Sequence, residues 1–445
     1  MKASSYSLGK VRQNFEDFFD KAHINRVSKK TGFSIRKSRK ISGFDYAFSL
    51  ILCFCKRKNT FSNWADQLGL ICGKQVTKQA LFKRTDEKAV SFCKQLLEDA
   101  VAKKAAVIKG SVIFKSFKNV LLQDSTTLQL PDCLAATFAG NHSRGLQKAV
   151  VRIQTIIDLK TMQFLSFSLS GFTRNDQAAS GDILPLCSRG DLVIRDLGYF
   201  ALTTFKSLAA DGVQFLSRLR FGLNIYDLDG REIPLSSLLK LKQKVDKRVL
   251  IGEKKIPVRL VMLPVPEAVA AQKKRKAKHE RDKRLNHSKE YYEWLEFNTY
   301  ITSVDEAIWT TEQVMNAYKV RWQIELIFKS WKSGGLHIDQ LLHDRCTNAE
   351  RVKVCIYLML LFVTLFCRKL YLPILQKMNK SDPDQIVSLG KMFSWVCDNM
   401  IDAFLMSEAQ LQEIVFQKCI YEKRKKRENI IQTIRKCNVK LTPMR

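Results

Sequence analysis

Three acidic residues stand out by position rather than by type. Asp124 closes the apolar run Val120-Leu121-Leu122 and is followed by Ser125-Thr126. Asp196 closes a second run, Leu192-Val193-Ile194, and Leu197-Gly198-Tyr199 behind it offers a sharp turn. Glu325 lies between Tyr318 and Lys332 in a stretch with helical periodicity. At about 100° per residue, Tyr318, Arg321, Glu325 and Lys332 fall within an arc of roughly 60°. Val320, Ile324, Ile327 and Trp331 form an apolar stripe roughly 110° away, so one face packs and the adjoining one presents chemistry.

Carboxylates from two strand ends and a helix can converge on a pair of divalent ions about 3.5–4 Å apart. One ion activates a water or a 3′-hydroxyl, and the other stabilises the leaving oxygen of an in-line phosphoryl displacement. Oxygen ligands suit Mg²⁺, with Mn²⁺ able to substitute. Arg321 can hold a phosphate through two parallel bonds, and Lys332 as a point charge. Taken singly, Asp124 and Asp196 are ordinary strand-end residues, and Arg321 and Glu325 an exposed helical pair. Their conjunction favours the chemical reading.

Neighbouring polar residues compete less well. Ser125 lacks a histidine partner for nucleophilic catalysis. Asp158 shares the strand-end position without a motif. Asp176 is a candidate support for the acids. His142, in Gly140-Asn-His-Ser-Arg144, sits in a polar segment that either approaches DNA or is a plain loop, and His337 follows Lys332 closely.

The whole chain supplies the context. Its 445 residues carry 75 Lys and Arg against 43 Asp and Glu, a formal net charge of +32. With 46% hydrophobic residues it can bury a large core, so the excess charge belongs to a folded protein and points to a polyanion, foremost nucleic acid. Twelve cysteines include no Cys-x-x-Cys pair and no zinc spacing, which suits buried thiols in a reducing cytosol. Met1–Lys21 lacks the apolar segment of a signal peptide. The apolar run Val354–Cys367 is shorter than the roughly 18 residues that span a bilayer, so it reads as a core helix and the protein as cytoplasmic.

The elements that must position the acids follow from patterning. Residues 1–115 read as a helical DNA-binding region. Within it, Ser62 and Thr77 are expected caps of two short helices. Trp64, Ala65 and Leu68 face inward from the first, Ala80 and Leu81 from the second. Lys78, Lys83 and Arg84 then point outward, resembling a helix-turn-helix offered to a major groove. Residues 116–220 form a first catalytic part, with strands near 120–124, 150–158, 164–170, 191–196 and 215–220, a helical stretch at 176–187 and a helix at 200–211. Residues 221–300 are β-rich, with an Asp229-Gly230 turn, strands at 249–251 and 257–262, and a basic arm, Lys273–Arg284. Lys274, Arg275 and Lys276 of that arm are expected phosphate contacts. Residues 301–375 return to the core with the signature helix, and 376–445 form a C-terminal helical region with a basic tail from Tyr421. The fold class is α/β.

Tyr318-x2-Arg321-x3-Glu325-x6-Lys332 resembles the Tyr-Arg-Glu-Lys signature of DDE transposases of bacterial insertion sequences, in the insertion-sequence-four family. Leu122-Gln-Asp124-Ser-Thr and Val193-Ile-Arg-Asp196-Leu-Gly-Tyr199 look like that family's first and second acid motifs, and Gly171–Asp176 and Asn298-Thr299 extend the likeness, which covers roughly residues 60–345. The resemblance implies a ribonuclease-H-like core interrupted by a β-rich insertion. It implies cut-and-paste transposition: binding of terminal inverted repeats, hydrolytic cleavage, and joining of 3′-hydroxyls to target DNA by a dimer on DNA. Asp124, Asp196 and Glu325 would hold two metal ions, and Tyr318, Arg321 and Lys332 the DNA-end phosphates. Some members stack a flipped base on an insertion-domain tryptophan, for which Trp294 is the nearest candidate, against a packing role in Tyr291-Tyr-Glu-Trp294. The rival functions are a structure-specific nuclease on the same core and a non-catalytic DNA-binding regulator.

Overall fold

The computed structural model describes residues 8–35, 41–58, 60–73, 75–103, 112–143, 145–279, 287–336, 338, 347–381, 385 and 387–421. The basic tail beyond Tyr421, the end of the basic arm and His337 therefore lie outside the described residues.

In chain order, helices α1 (Leu8–Phe19), α2 (Lys21–Lys30), α3 (Gly43–Cys55), α4 (Phe61–Cys72), α5 (Lys78–Arg84) and α6 (Glu87–Ala102) come first. Strands β1 (Val120–Leu130), β2 (Ala139–Ser143), β3 (Leu146–Asp158), β4 (Gln163–Gly171) and β5 (Leu192–Arg195) precede α7 (Leu202–Ala210) and β6 (Gln214–Arg218). The β-rich stretch holds β7 (Ile225–Tyr226), β8 (Glu232–Ile233), α8 (Leu235–Lys240), β9 (Val245–Ile251), β10 (Ile256–Pro264), α9 (Glu267–Lys278), α10 (Lys289–Trp294) and β11 (Phe297–Thr302). Then follow α11 (Thr311–Lys319), α12 (Trp322–Lys329), α13 (Ala349–Phe366), α14 (Leu372–Ser381), α15 (Leu389–Asp398), α16 (Met400–Leu405) and α17 (Glu408–Lys418). The fold is mixed α/β.

Two compact units divide these elements, and both are discontinuous in sequence. The first gathers the described residues within Met1–Ile108, Ser125–Arg174 and Gln323–Lys423; the second gathers those within Lys109–Asp124 and Asn175–Trp322. The unit boundary thus falls inside β1, directly after Asp124.

The first unit is mostly helical. α3 is buried over its whole length, and a reciprocal capping box between Ser42 and Asp45 starts it. A Cβ on Gly43 would stand 2.5 Å from Ser28 Cβ, so only glycine allows this approach to α2. Trp64 anchors α4 by donating from Nε1 to Ser49 Oγ at 2.7 Å. α13 packs along α6. The apolar helix there, Ala349–Met378, is long enough by length and composition to cross a membrane, longer than the run Val354–Cys367 implied; 72% of its apolar window is buried inside the protein. Strands β2, β3 and β4 pair antiparallel. Residues 151–158 of β3 are buried on both faces, so the alternation of apolar and polar residues does not mark a solvated face. Arg152 is accommodated by stacking 4.6 Å from the Phe172 ring centroid and donating to Ser125 Oγ at 3.0 Å.

The second unit is organised around a sheet of order β1-β5-β6-β11-β10-β9-β7-β8. β1, β5 and β6 run parallel, and β11 joins β6 antiparallel, so the β-rich stretch extends the sheet that carries the acids. β5 is four buried residues, the continuous apolar run expected of a strand covered on both faces. The Asp229-Gly230 turn closes β7 and β8 with Gly230 at φ 85°, and Asp227 accepts from the Arg231 N–H at 2.8 Å.

Candidate active site

Parallel pairing sets the first two acids side by side. Val120 to Gln123 pair in register with Leu192 to Arg195, so the next residues, Asp124 and Asp196, continue abreast. Asp196 follows β5 in extended backbone, φ −77° and ψ 162°, then the chain turns into Leu197–Tyr199.

Both ends of this strand pair are pinned. At the start, the buried Asp191 carboxylate accepts from Asn119 N at 3.2 Å, Asn119 Nδ2 at 2.8 Å and Ser188 N at 2.8 Å. At the far end, one residue before the acids and on the opposite face of the pleat, Arg195 and Gln123 are register partners, both fully buried. The Arg195 guanidinium donates to Gln123 Oε1, to the Ser180 carbonyl and, at 3.0 Å, to Ser180 Oγ, while Gln123 Nε2 donates to the Ala179 carbonyl at 2.8 Å. Burial pulls the Arg195 pKa down to about 10. No sequence pattern singled out Arg195 or Gln123; the signal available was a strong cation inside an otherwise apolar strand.

Like charges abreast repel, and Arg321 offsets that repulsion. Its Nη1 donates to Asp124 Oδ2 at 3.2 Å, and its Nε lies 3.6 Å from Asp196 Oδ1, within ion-pair range but beyond a hydrogen bond. Arg321 and Asp124 are each 14% exposed, which makes this pair less screened than a surface bridge. Tyr318 donates to Asp196 Oδ1 at 3.3 Å, and burial, then the Asp196 charge, push its phenol pKa up. Its ring lies 5.2 Å from Tyr300, centroid to centroid.

The signature stretch is not one helix. α11 ends at Lys319, and Val320 and Arg321 donate to Ala317 and Tyr318 carbonyls in tight three-residue steps before α12 starts at Trp322. The single 60° polar face is therefore corrected. Glu325 and Lys332 belong to the first unit, whereas Tyr318 and Arg321 belong to the second. Lys332 follows α12 in a wider π turn and donates to the Thr127 carbonyl at 2.6 Å. The apolar stripe behaves as expected: Val320, Ile324, Ile327 and Trp331 are all buried. Among the described residues, no three His, Cys, Asp or Glu side chains are grouped so as to hold a metal ion.

The remaining sequence candidates separate. Asp176 lies beside the second acid motif, its Oδ2 3.3 Å from where a Cβ on Gly198 would be. Asp158 is a turn residue, accepting from Lys160 N at 3.1 Å and Thr161 Oγ1 at 2.7 Å. Trp294 is buried and packs edge-on against Phe221 at 5.9 Å. His142 is exposed on β2. In α4 and α5, Thr77 caps as expected, but Thr60 rather than Ser62 caps the first helix because the helix begins two residues earlier. Leu81 is buried while Ala80 is exposed. Lys78 and Lys83 are exposed, but Arg84 turns inward over the Phe33 ring at 4.6 Å, where stacking outweighs solvation. On α9, Arg275 and Lys276 are exposed, whereas Lys274 pairs with Glu296 at 2.5 Å. The indole of Trp322 is 55% accessible beside Arg321, a position that the sequence reading did not single out.

Relatives add an independent line. A profile of the transposase DDE domain matches residues 115–365, more than half of the chain. The chain is 28% identical over 401 residues to the transposase for insertion sequence element IS231B of Bacillus thuringiensis subsp. berliner, covering 82% of this chain and 81% of that one. It is 30% identical over 344 residues to the transposase for IS231D of Bacillus thuringiensis subsp. finitimus, covering 70% of each. The transposase for IS1151 of Clostridium perfringens is 25% identical over 353 residues, covering 73% of each. A solved piggyBac transposase synaptic complex with hairpin DNA overlaps 94% of this chain and 86% of that one, at a TM-score of 0.43 and 10% identity, too distant to bear on the argument. A pair of acids abreast on neighbouring strands, Asp124 within β1 rather than at its end, is bridged by Arg321 inside a matched DDE domain; the chain belongs to the DDE transposases of bacterial insertion sequences.

Proposed function

We propose that Asp124, Asp196 and Glu325 are the catalytic carboxylates of this transposase, and that Tyr318, Arg321 and Lys332 hold the DNA ends. The observation that carries this reading is the convergence of Asp124 and Asp196 on one guanidinium, Arg321. The enzyme carries out DNA transposition, acting on insertion-sequence ends by DNA cleavage and strand transfer, and chemistry of this class depends on a divalent metal.

The donor set fits such an ion. Two oxygen-only carboxylates already stand abreast about one cation, which is what a hard divalent ion selects. Asp124 and Asp196 would hold it, with Glu325 from α12 completing the set in the working complex; we favour Mg²⁺, two ions per site. Bound metal supplies an activated oxygen nucleophile and charge neutralisation at the phosphorus. The chain's own residues do the rest. Arg195 and Gln123 tie the two strands together one residue before the acids, and Asp176 supports the Asp196 turn. Arg321 bridges the two carboxylates and would turn its guanidinium to a DNA phosphate in the working complex. Tyr318 orients Asp196 through its hydroxyl.

Around this site we infer a ribonuclease-H-like core formed by residues 116–220 and 301–375 and split by the β-rich stretch 221–300. Residues 1–115 and 376–445 would flank it as a helical DNA-binding region and a C-terminal helical region. Lys78, Lys83, Arg275 and Lys276 would contact DNA phosphates. Work on two ends and a target calls for a dimer on DNA, in the cytoplasm of a bacterium. The test is an excision assay with Mg²⁺ on wild type, Asp124→Ala, Asp196→Ala and Glu325→Ala. Excision at the wild-type level by all three variants would refute the assignment.

A further inference from the structure

We propose that Arg218 and Lys273, joined by Asn298, form a phosphate clamp that takes a backbone phosphodiester of DNA next to the reacting one. This inference rests on the assignment of Asp124 and Asp196 as the catalytic acids.

The sheet register places the clamp. β5 and β6 pair Leu192 with Gln214, Val193 with Phe215 and Ile194 with Leu216, so two residues on, Asp196 comes abreast of Arg218. Arg218 is in turn paired with Tyr300 on β11. Asp124, Asp196, Arg218 and Tyr300 thus form one row across adjacent strands, on one face of the pleat, at about 5 Å per strand. Arg218 is the first cation beyond the acids in that row.

Among the described residues, no acid is ion-paired with Arg218. Its Nη2 donates to Asn298 Oδ1 at 3.2 Å, and its guanidinium stands 5.8 Å from the Tyr318 ring centroid. Its Nε is buried with no hydrogen-bond partner among the described residues. Lys273 of α9 reaches the same amide oxygen, donating to Asn298 Oδ1 at 2.9 Å and to the Phe297 carbonyl at 3.1 Å. Two cations therefore share one neutral acceptor, while the nearby Glu296 pairs with Lys274. Burial, and then the neighbouring Arg218, bring the Lys273 pKa down to about 8.

Holding two like charges together in a partly buried place costs free energy unless an anion joins them. A fork and a point charge converging from a strand and a helix match a phosphate's oxygens. In a DNA transposase the supply of such groups is the duplex backbone, and the row puts this one beside the carboxylates. The groups that face Lys273 are Arg218 on β6, the Asn298 amide on β11, and the Lys274–Glu296 pair beside it.

The test is equilibrium binding of the full-length protein to a labelled duplex carrying the element's terminal sequence, without metal, across salt and pH. The proteins are wild type, Arg218→Gln, Lys273→Gln, the double variant and Lys273→Arg, each checked by thermal melting. The double variant should bind about tenfold more weakly at low salt. The slope of log K against log salt should fall by about 0.9 for each contact removed. Wild-type affinity should drop as pH rises through about 8, where Lys273 loses its proton, and Lys273→Arg should stay flat between roughly pH 7 and 9. Unchanged slopes together with the same pH fall in Lys273→Arg would overturn the clamp while leaving the catalytic assignment intact. Failure of wild type to bind the duplex would overturn the clamp, and the excision assay on the acid variants tests the catalytic assignment separately. Titration with inorganic phosphate separates the sources: variants that lose phosphate binding yet keep duplex affinity would show a free-anion site and overturn the DNA assignment.

Discussion

Replacing Arg195 by Met removes the guanidinium that ties the two acid-bearing strands together. The change leaves Gln123 Oε1 and the Ser180 carbonyl buried without their donor, whereas Ser180 Oγ keeps its contacts with the Tyr199 carbonyl at 2.9 Å and Thr204 at 3.0 Å. Each orphaned buried acceptor costs about 1–3 kcal/mol, so the two together cost about 2–6 kcal/mol. Part of that is returned, because among the described residues no carboxylate is a hydrogen-bond partner of Arg195 and burying its charge is itself unfavourable, as its lowered pKa of about 10 records. A net loss of about 2–4 kcal/mol is expected in urea unfolding. Arg195→Met combined with Gln123→Leu removes both ends of the interaction and should be less than additive, with a coupling of about 1–3 kcal/mol. The functional readout is Mn²⁺ titration of the folded protein. Loss of such supporting contacts typically weakens metal binding about 10–100-fold, and that is the expectation here at temperatures where the variant remains folded. Wild-type stability and wild-type Mn²⁺ affinity in Arg195→Met would refute the idea that this network sets the spacing of Asp124 and Asp196.

Three further outcomes follow from particular contacts. Asp246 accepts from Arg259 at 2.7 and 2.6 Å and from Thr311 at 2.6 Å; burial alone would raise its carboxyl pKa, but these bonds hold it below the usual value. Its stabilisation is therefore present above pH 4 and lost as pH falls through the lowered folded value, and Asp246→Asn should flatten that part of an acid-unfolding profile. Trp322→Ala should leave melting within about 0.5 kcal/mol of wild type, since the side chain is exposed, yet weaken end-DNA binding by about 1–3 kcal/mol if the indole stacks on a base; equal affinity would remove it from the DNA surface. Gly43→Ala forces a Cβ to within 2.5 Å of Ser28 and should cost about 1–3 kcal/mol in thermal or urea unfolding, recovered in part by Ser28→Gly; a neutral effect would mean that α2 and α3 can separate freely.

The first two acids are conspicuous in the sequence because buried parallel pairing writes itself as an unbroken apolar run that each carboxylate closes; Asp196 does follow its strand, whereas β1 continues past Asp124 to Leu130. Packing residues of the signature stretch were legible for the same reason: apolar periodicity survives a local break. The break itself was not, since nothing in Lys319-Val320-Arg321 is a helix breaker and tertiary demand decides it. Arg195, Arg218 and Arg84 were misread or passed over because charge in a sequence announces solvent. Whether a guanidinium is turned inward depends on an amide, a carbonyl or a ring contributed from far along the chain, such as Gln123, Asn298 or Phe33. The run Val354–Cys367 reads shorter than the helix that contains it, because charged residues at its borders continue the helix instead of ending it, while the core-helix reading agrees with the burial of 72% of the apolar window.

The discontinuity of the second unit has a consequence for synthesis. Asp124 lies in one short piece of that unit, while Asp196, Tyr318 and Arg321 lie in another that resumes only at Asn175. The Arg321–Asp124 bond closes a separation of 197 residues. At about 5–20 residues per second, the ribosome takes on the order of 10–40 s to deliver Arg321 after Asp124. During that interval the neighbouring strand β5 is complete once Arg195 is made, but the guanidinium that bridges Asp124 and Asp196 is still missing. The bridge between the two acids is thus completed only when Arg321 has been made, well after both strands that carry them.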